Sequence, residues 1–347
     1  MAYTTINKSS EHFNTKLYTG NATDNTAITG VGFQPDFTWI KARSINYSHN
    51  AQDAVRGAGK RLEPDQTYAE GTYPSFKSFD TDGFTLGTSA GVNDNGQTFA
   101  SWNWKAGTTG SGTTGQSKTY NYSVNTTAGF SIITYQGSGV TNHKIPHHLG
   151  AKPTVKIVKA IGHTENWACY WDVFQNSASY IQLNTDNGKL SNSGKWGGYD
   201  TNTTINLGTN DDTNKASSSV NFVAYCFAEK QGFSKIGSYT GNGNADGTFV
   251  YTGFKPAFVM AKRTDTTDNW LIKDIKRDPL NQMAKRIFPN LNNAEDTSGG
   301  GEFDFLSNGF KNRGTNTINN ASGGSYIYMA FAEAPLVGTN GVTAKAR

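Results

Sequence analysis

The stretch "YTGNATDNTAITGVGFQPDFTWIKARS" (18–44) returns some 220 residues later as "YTGNGNADGTFVYTGFKPAFVMAKRT" (239–264). Tyr18 stands 17 residues before Pro35, and Tyr239 stands 17 before Pro256. A fainter version, "YQGSGVTNHKIPHHLGAKPTVKIVKA" (135–160), reaches Pro153 after 18. Such recurrence limits the chain to architectures assembled from one unit used several times.

Each proline opens a run of strand length that is rich in β-branched and aromatic residues, "PDFTWIKA", "PTVKIVKA" and "PAFVMAKR". Proline suits the first residue of a strand, where a missing N–H does no harm. Fourteen residues beyond the proline stand His49, Trp167 and Trp270, and a few further on the acids Asp53, Asp172 and Asp274. Copies one and three add an arginine at equal spacing, Arg56 and Arg277. The copies close on "FASWNWKA" (99–106), "FVAYCFAE" (222–229) and "YIYMAFAE" (326–333), aromatics alternating with small residues in the period of a half-buried strand. Trp39, Trp102, Trp104, Trp167, Trp270, Phe227 and Phe331 are therefore expected to form the core of the repeats.

No helical period is sustained; 278–288, "DPLNQMAKRIF", is the only fair helix candidate. The fold expected is all-β, three diverged repeats of a sandwich or jelly-roll unit. The first unit covers 1–107 and includes an N-terminal attachment stretch, "MAYTTINKSSEHFNTK". A Gly/Ser/Thr linker (108–119), flexible by composition, leads to units at 120–232 and 233–347, the last with a C-terminal tail.

Composition narrows the function. Charged residues are only 17% and the net charge of +4 is scattered, with no basic stripe of the kind nucleic-acid binding needs. Aromatics at 12% argue against disorder. Cys169 and Cys226 sit among aromatics and read as buried thiols. Neither a signal peptide nor an apolar run long enough to span a membrane is expected.

No catalytic residue, metal ligand or cofactor site is expected. Asp80 and Asp82 in "FDTDGF" could flank a Ca²⁺ ion but read as an ordinary Asp-Gly turn. Pro146 breaks any helix that would align His143 with His147, so "HKIPHH" reads as a surface loop. "GGG" (299–301) lacks the lysine of a phosphate loop. Glu229 and Glu333 recur at one repeat position, as strand-end residues do. Non-covalent glycan binding would place exposed aromatics beside amides on loops, and the candidates are Asn46 and Tyr47 in "SINYSHN" and Trp196 in "SGKWGGYD".

"YTGN…ITGVGFQPDFTWIKARS", "SFDTDGFTLG", "ASWNWKAGTT" and "MAFAEAPLVGTNGVTAKAR" resemble a repeated domain in virion proteins of marine tailed bacteriophages, such as those infecting cyanobacteria and SAR11-type bacteria. Copy one carries the resemblance most strongly; copy two departs, with "LGAKPTV" for "GFQPDF". The resemblance implies a lectin-like, non-enzymatic virion component located in the particle and released by lysis, either a tail fibre or tail-associated protein contacting the host surface or a capsid decoration or fibre protein. A virion-borne glycan-degrading enzyme is the remaining class. Implied partners are further copies of the chain in a homotrimer, neighbouring virion proteins and a host surface glycan, without nucleic acid or a membrane span.

Overall fold

The computed structural model describes residues 3–298 and 303–337. The fold is all-β, and one antiparallel ladder order occurs three times. The first ladder runs Phe13–Thr19, Thr98–Trp104, Phe37–Ala42, Asn50–Asp53. The second runs Phe130–Tyr135, Phe222–Phe227, Val155–Ala160, Ala168–Trp171, and the third Ser234–Thr240, Ser325–Pro335, Phe254–Arg263, Trp270–Asp274. In each, the closing strand lies between the opening strand and the strand at the proline. Each ladder carries a smaller sheet: Thr26–Thr29 with Gly83–Leu86 and Phe76–Asp80, His143–Pro146 with Thr204–Leu207, and Phe249–Tyr251 with Gly309–Asn312 and Phe303–Leu306. Among the described residues no helix is long and apolar enough to cross a membrane.

The alternation along each strand explains how the units pack. Phe37 and Trp39 point to a central core, whereas Ile40 and Ala42 point to the first unit's own outer core. Phe130, Ile157, Trp167 and Tyr225 of the second unit join that centre, as do Phe258, Trp270 and Phe331 of the third. All seven expected core aromatics are there, none more than 4% exposed. The void left at the centre is about 20 Å³ with apolar walls, space for one water at most and not for a ligand.

The recurring Tyr-x-Gly has a direct physical reading. Tyr18, Tyr135 and Tyr239 each stack on the closing strand's first aromatic, Phe99, Phe222 and Tyr326, with ring centroids 4.9–5.2 Å apart. Their hydroxyls donate to the carbonyls of Val92, Thr213 and Asn319, in the short helices Ala90–Asn93, Asp211–Asn214 and Thr317–Asn320. Gly20, Gly137 and Gly241 pass so close to the end of those helices that a Cβ would lie 2.2, 2.0 and 2.4 Å from a carbonyl oxygen. Each helix ends on a buried asparagine, Asn93, Asn214 or Asn320, whose side chain staples the loop after that glycine. Asn320 accepts from Asn242 N and donates to Asn244 O and Gly314 O. Asn320→Ala would strand these groups and is expected to cost about 2–3 kcal/mol in urea unfolding. A loss below about 0.5 kcal/mol would show that the staple is not structural.

Three expectations are corrected. The Gly/Ser/Thr segment is an edge strand, Thr108–Thr113, paired with Thr119–Asn125, rather than a flexible linker. Tyr122 and Tyr120 lie across Gly110 and Gly112, whose missing side chains make the room. The helix candidate at 278–288 is a loop, held by bridges from Met283 to Phe303 and Arg286 to Asp296 that override its helical composition. "HKIPHH" begins as a strand rather than a surface loop: His143 is fully buried and its ring nitrogens meet Asn214 Oδ1 (2.8 Å) and Thr114 Oγ1 (3.0 Å). His147 is buried too, bonded to Thr201 O.

The attachment stretch, from Tyr3 onward, packs against the body: Ile6 and Phe13 enter the central core and Tyr3 donates to Gly253 O. "GGG" and the tail from 338 lie outside the described residues. Both cysteines are buried free thiols, and burial pushes their acidity down, raising both pKa values.

Candidate binding surface

The polar residues that recur along the chain converge on the junctions between units. Trp167 Nε1 of the second unit donates to Glu63 O of the first, at 3.0 Å. Trp270 Nε1 of the third donates to Gln182 O of the second, at 2.9 Å. His49 Nε2 of the first lies 3.0 Å from Phe288 O and 3.1 Å from Leu291 O of the third. The three contacts run in one rotational sense and close a ring.

The recurring acids and arginines form a second set. Arg56 Nε donates to Asp53, which also accepts from Tyr225 of the second unit (2.7 Å). Arg277 Nε donates to Asp274, which also accepts from Trp102 Nε1 of the first unit (3.0 Å). The second unit departs from this pattern. Gln175 stands where the others have arginine, Met329 stands where Tyr225 and Trp102 stand, and Asp172 pairs with Lys152 at a more open site. Both halves of that node are absent together; Trp171 Nε1 instead meets Tyr328 O at 3.3 Å.

A third set is three lysines at one repeat position. Lys41, Lys159 and Lys262 are fully buried, each donating to the carbonyl of the following residue. Lys159 also reaches Thr67 O and Lys262 reaches Asp186 O, both in the neighbouring unit. Burial lowers the pKa values of these ammonium groups to about 8, about 7 and about 8.

The glycan candidates are placed differently from the expectation. Trp196 is 2% exposed, its indole over the Lys156 ammonium (4.3 Å) and its Nε1 donating to Ser179 O. Lys156 pairs with Asp200 in the same buried site, and the indole covers that pair, so the glycine-flanked loop folds inward. Asn46 is exposed, but its Oδ1 accepts from Ala294 N of the third unit. Tyr47 is half-buried and donates to Asp94. All three serve the packing of the body.

The acids are similarly occupied. Asp82 accepts from Gly30 N and Gly32 N, and these amides hold its carboxyl below the usual range. Asp80 accepts from Thr85. Glu229 pairs with Lys235 and Glu333 with Lys255. Among the described residues no group of three His, Cys, Asp or Glu is placed to hold a metal ion.

What stays available is a set of tyrosines that the sequence reading missed: Tyr68, Tyr73, Tyr199 and Tyr251 are 61, 44, 51 and 55% exposed. Tyr251 borders an open hollow of about 420 Å³ with Tyr3, Glu229, Gln231, Lys235 and Thr252. There an aromatic face stands beside a carboxylate and an ammonium, an arrangement that can stack a ring and hydrogen-bond its substituents. The one signal in the sequence was "QTYAEGTYPS" (66–75), two tyrosines within turn-forming residues.

One family model matches residues 8–335, from just before the first ladder to the end of the last strand. The chain belongs to the DUF7483 family. That family is described only as a domain of unknown function. The DUF7483 match is coextensive with the closed three-unit body rather than with one repeat. No curated protein and no solved structure matches the chain.

Proposed function

We propose that this chain is a structural protein of a bacteriophage particle, a tail fibre or tail-associated protein that contacts the host surface without covalent chemistry. The observation that carries the reading is the contrast between interior and surface. The recurring polar groups are consumed in junctions, while four tyrosines remain more than 40% exposed on a rigid β scaffold. The resemblance of the repeated segments to phage virion proteins supports the same reading.

The resemblance to virion proteins implies a homotrimer. The ladder faces that three smaller chains would bury against one another are buried here within one chain, which supports one copy doing the work of such a trimer. Light scattering at micromolar concentration should then return a mass near 37.5 kDa; a mass three times larger would restore the homotrimer. Cryo-electron microscopy of the intact particle tests the location. Density for this body at the tail supports host contact, and many copies on the shell would replace this reading with capsid decoration.

A further inference from the structure

The cleft between Tyr68 and Tyr73 belongs to a hairpin whose counterpart in the third unit is the single bridge from Arg286 to Asp296. Lys60–Arg61 pairs with Gly71–Thr72, and the strap between them crosses to the second unit. That strap is tied down on both sides of Tyr68. Thr67 O accepts from Glu165 N (3.0 Å) and from Lys159 Nζ, and Glu70 N donates to Ile161 O (3.0 Å). Tyr68 is thus an exposed aromatic on a fixed backbone, with no side-chain partner among the described residues. A rigid tyrosine offers contact area at little cost in conformational entropy.

The opposite wall is fixed as well. The Arg61 guanidinium lies 3.9 Å from the centre of the Tyr73 ring and is paired with Glu63 at 2.7 Å. Tyr73 lies against Gly71, where a Cβ would sit 2.1 Å from the ring, so only glycine permits this placement. The recess enclosed is about 90 Å³, far below the roughly 300–1,000 Å³ of pockets for drug-sized apolar ligands. An apolar group there would leave the Arg61–Glu63 pair without compensation for lost water. An anion would meet the Glu63 carboxylate, which already pairs with the one cation of the lining, Arg61. A ligand with an apolar ring face and several uncharged hydroxyls satisfies every wall: the face stacks on Tyr68, Glu63 accepts and Arg61 donates.

We propose that Arg61, Glu63, Tyr68 and Tyr73 form a subsite for one neutral pyranose residue of a glycan. The glycan's source on a host surface rests on the reading above, whereas the subsite itself does not. Saturation-transfer NMR on the full chain, with the methyl glycosides of glucose, galactose and mannose and with N-acetylglucosamine as probes, tests it. Transfer to the ring protons of at least one probe is expected, weakened about tenfold by Tyr68→Ala, the loss of one aromatic contact. Glu63→Gln should weaken it too. Tyr68 is exposed, so an unchanged melting temperature shows that Tyr68→Ala folds. Transfer from none of the four probes, or equal transfer to wild type and Tyr68→Ala, overturns the subsite. That failure together with tail density would leave the virion reading standing; Tyr68-dependent transfer without particle density would do the reverse.

Discussion

Replacing Arg277 by Gln should destabilise the chain by about 3–5 kcal/mol, the usual cost of breaking a buried pair by removing one partner. Arg277 is essentially buried, and its guanidinium donates to Asp274, to Glu295 (3.1 Å) and to Ile272 O (2.9 Å). Without it Asp274 keeps only the Trp102 indole and two backbone amides. Glu295 would keep the bidentate Arg43 of the first unit. Burial opposes charge on Glu295, but Arg43 and Arg277 hold its carboxyl below the usual range. The second unit supplies the control. It has Gln175 at the same repeat position, and its Asp172 pairs with the part-exposed Lys152, so Lys152→Ala should cost about 1 kcal/mol or less. Urea midpoints at unchanged m-value measure both. Equal losses from Arg277→Gln and Lys152→Ala would refute the junction's role.

The second large effect is a rise in stability from pH 7 to about 9.5. Lys41, Lys159 and Lys262 have folded-state pKa values of about 8, about 7 and about 8 against the ordinary 10.5. Between those limits the unfolded chain binds more protons than the folded one, so stability increases with pH. The penalty of burying the charged amines is full below about 7 and has gone by 10.5. Every tenfold change in acidity is worth about 1.4 kcal/mol, so three sites together amount to several kcal/mol. Above about 10 the sign reverses, because burial raises Tyr135, Tyr225 and Tyr239 well above 10 and the folded chain then keeps protons that the unfolded chain loses. On the acid side, burial lowers His49 to about 4, so stability falls as pH drops from 6.5 towards 4. Lys159→Met should raise stability at pH 7 and flatten the slope up to pH 9.5. A slope unchanged by that substitution would show that the amine is charged in the fold.

Features that the chain writes more than once were legible in its sequence. The Tyr-x-Gly stretches, the residues 14 beyond each proline and the closing aromatic strands all led to strands and core positions, because their period and spacing are local. Their partners were not legible: Tyr225 meets Asp53 and Trp102 meets Asp274 across 172 positions of sequence. Composition misled where a tertiary partner decides the outcome. The glycines of Thr108–Thr113 suggest a flexible linker until Tyr120 and Tyr122 are seen across them. The glycines around Trp196 suggest exposure until the Lys156–Asp200 pair requires a cover. Tyr68 carries no periodic signal, since only the strap's anchoring in another unit holds it out to solvent.

Closure of the three units into one body is tested most directly by calorimetric unfolding of the single chain near pH 7. One transition is expected, with equal calorimetric and van't Hoff enthalpies, moving as a whole in Arg277→Gln. Two or three separable transitions, with Arg277→Gln shifting only one of them, would contradict it.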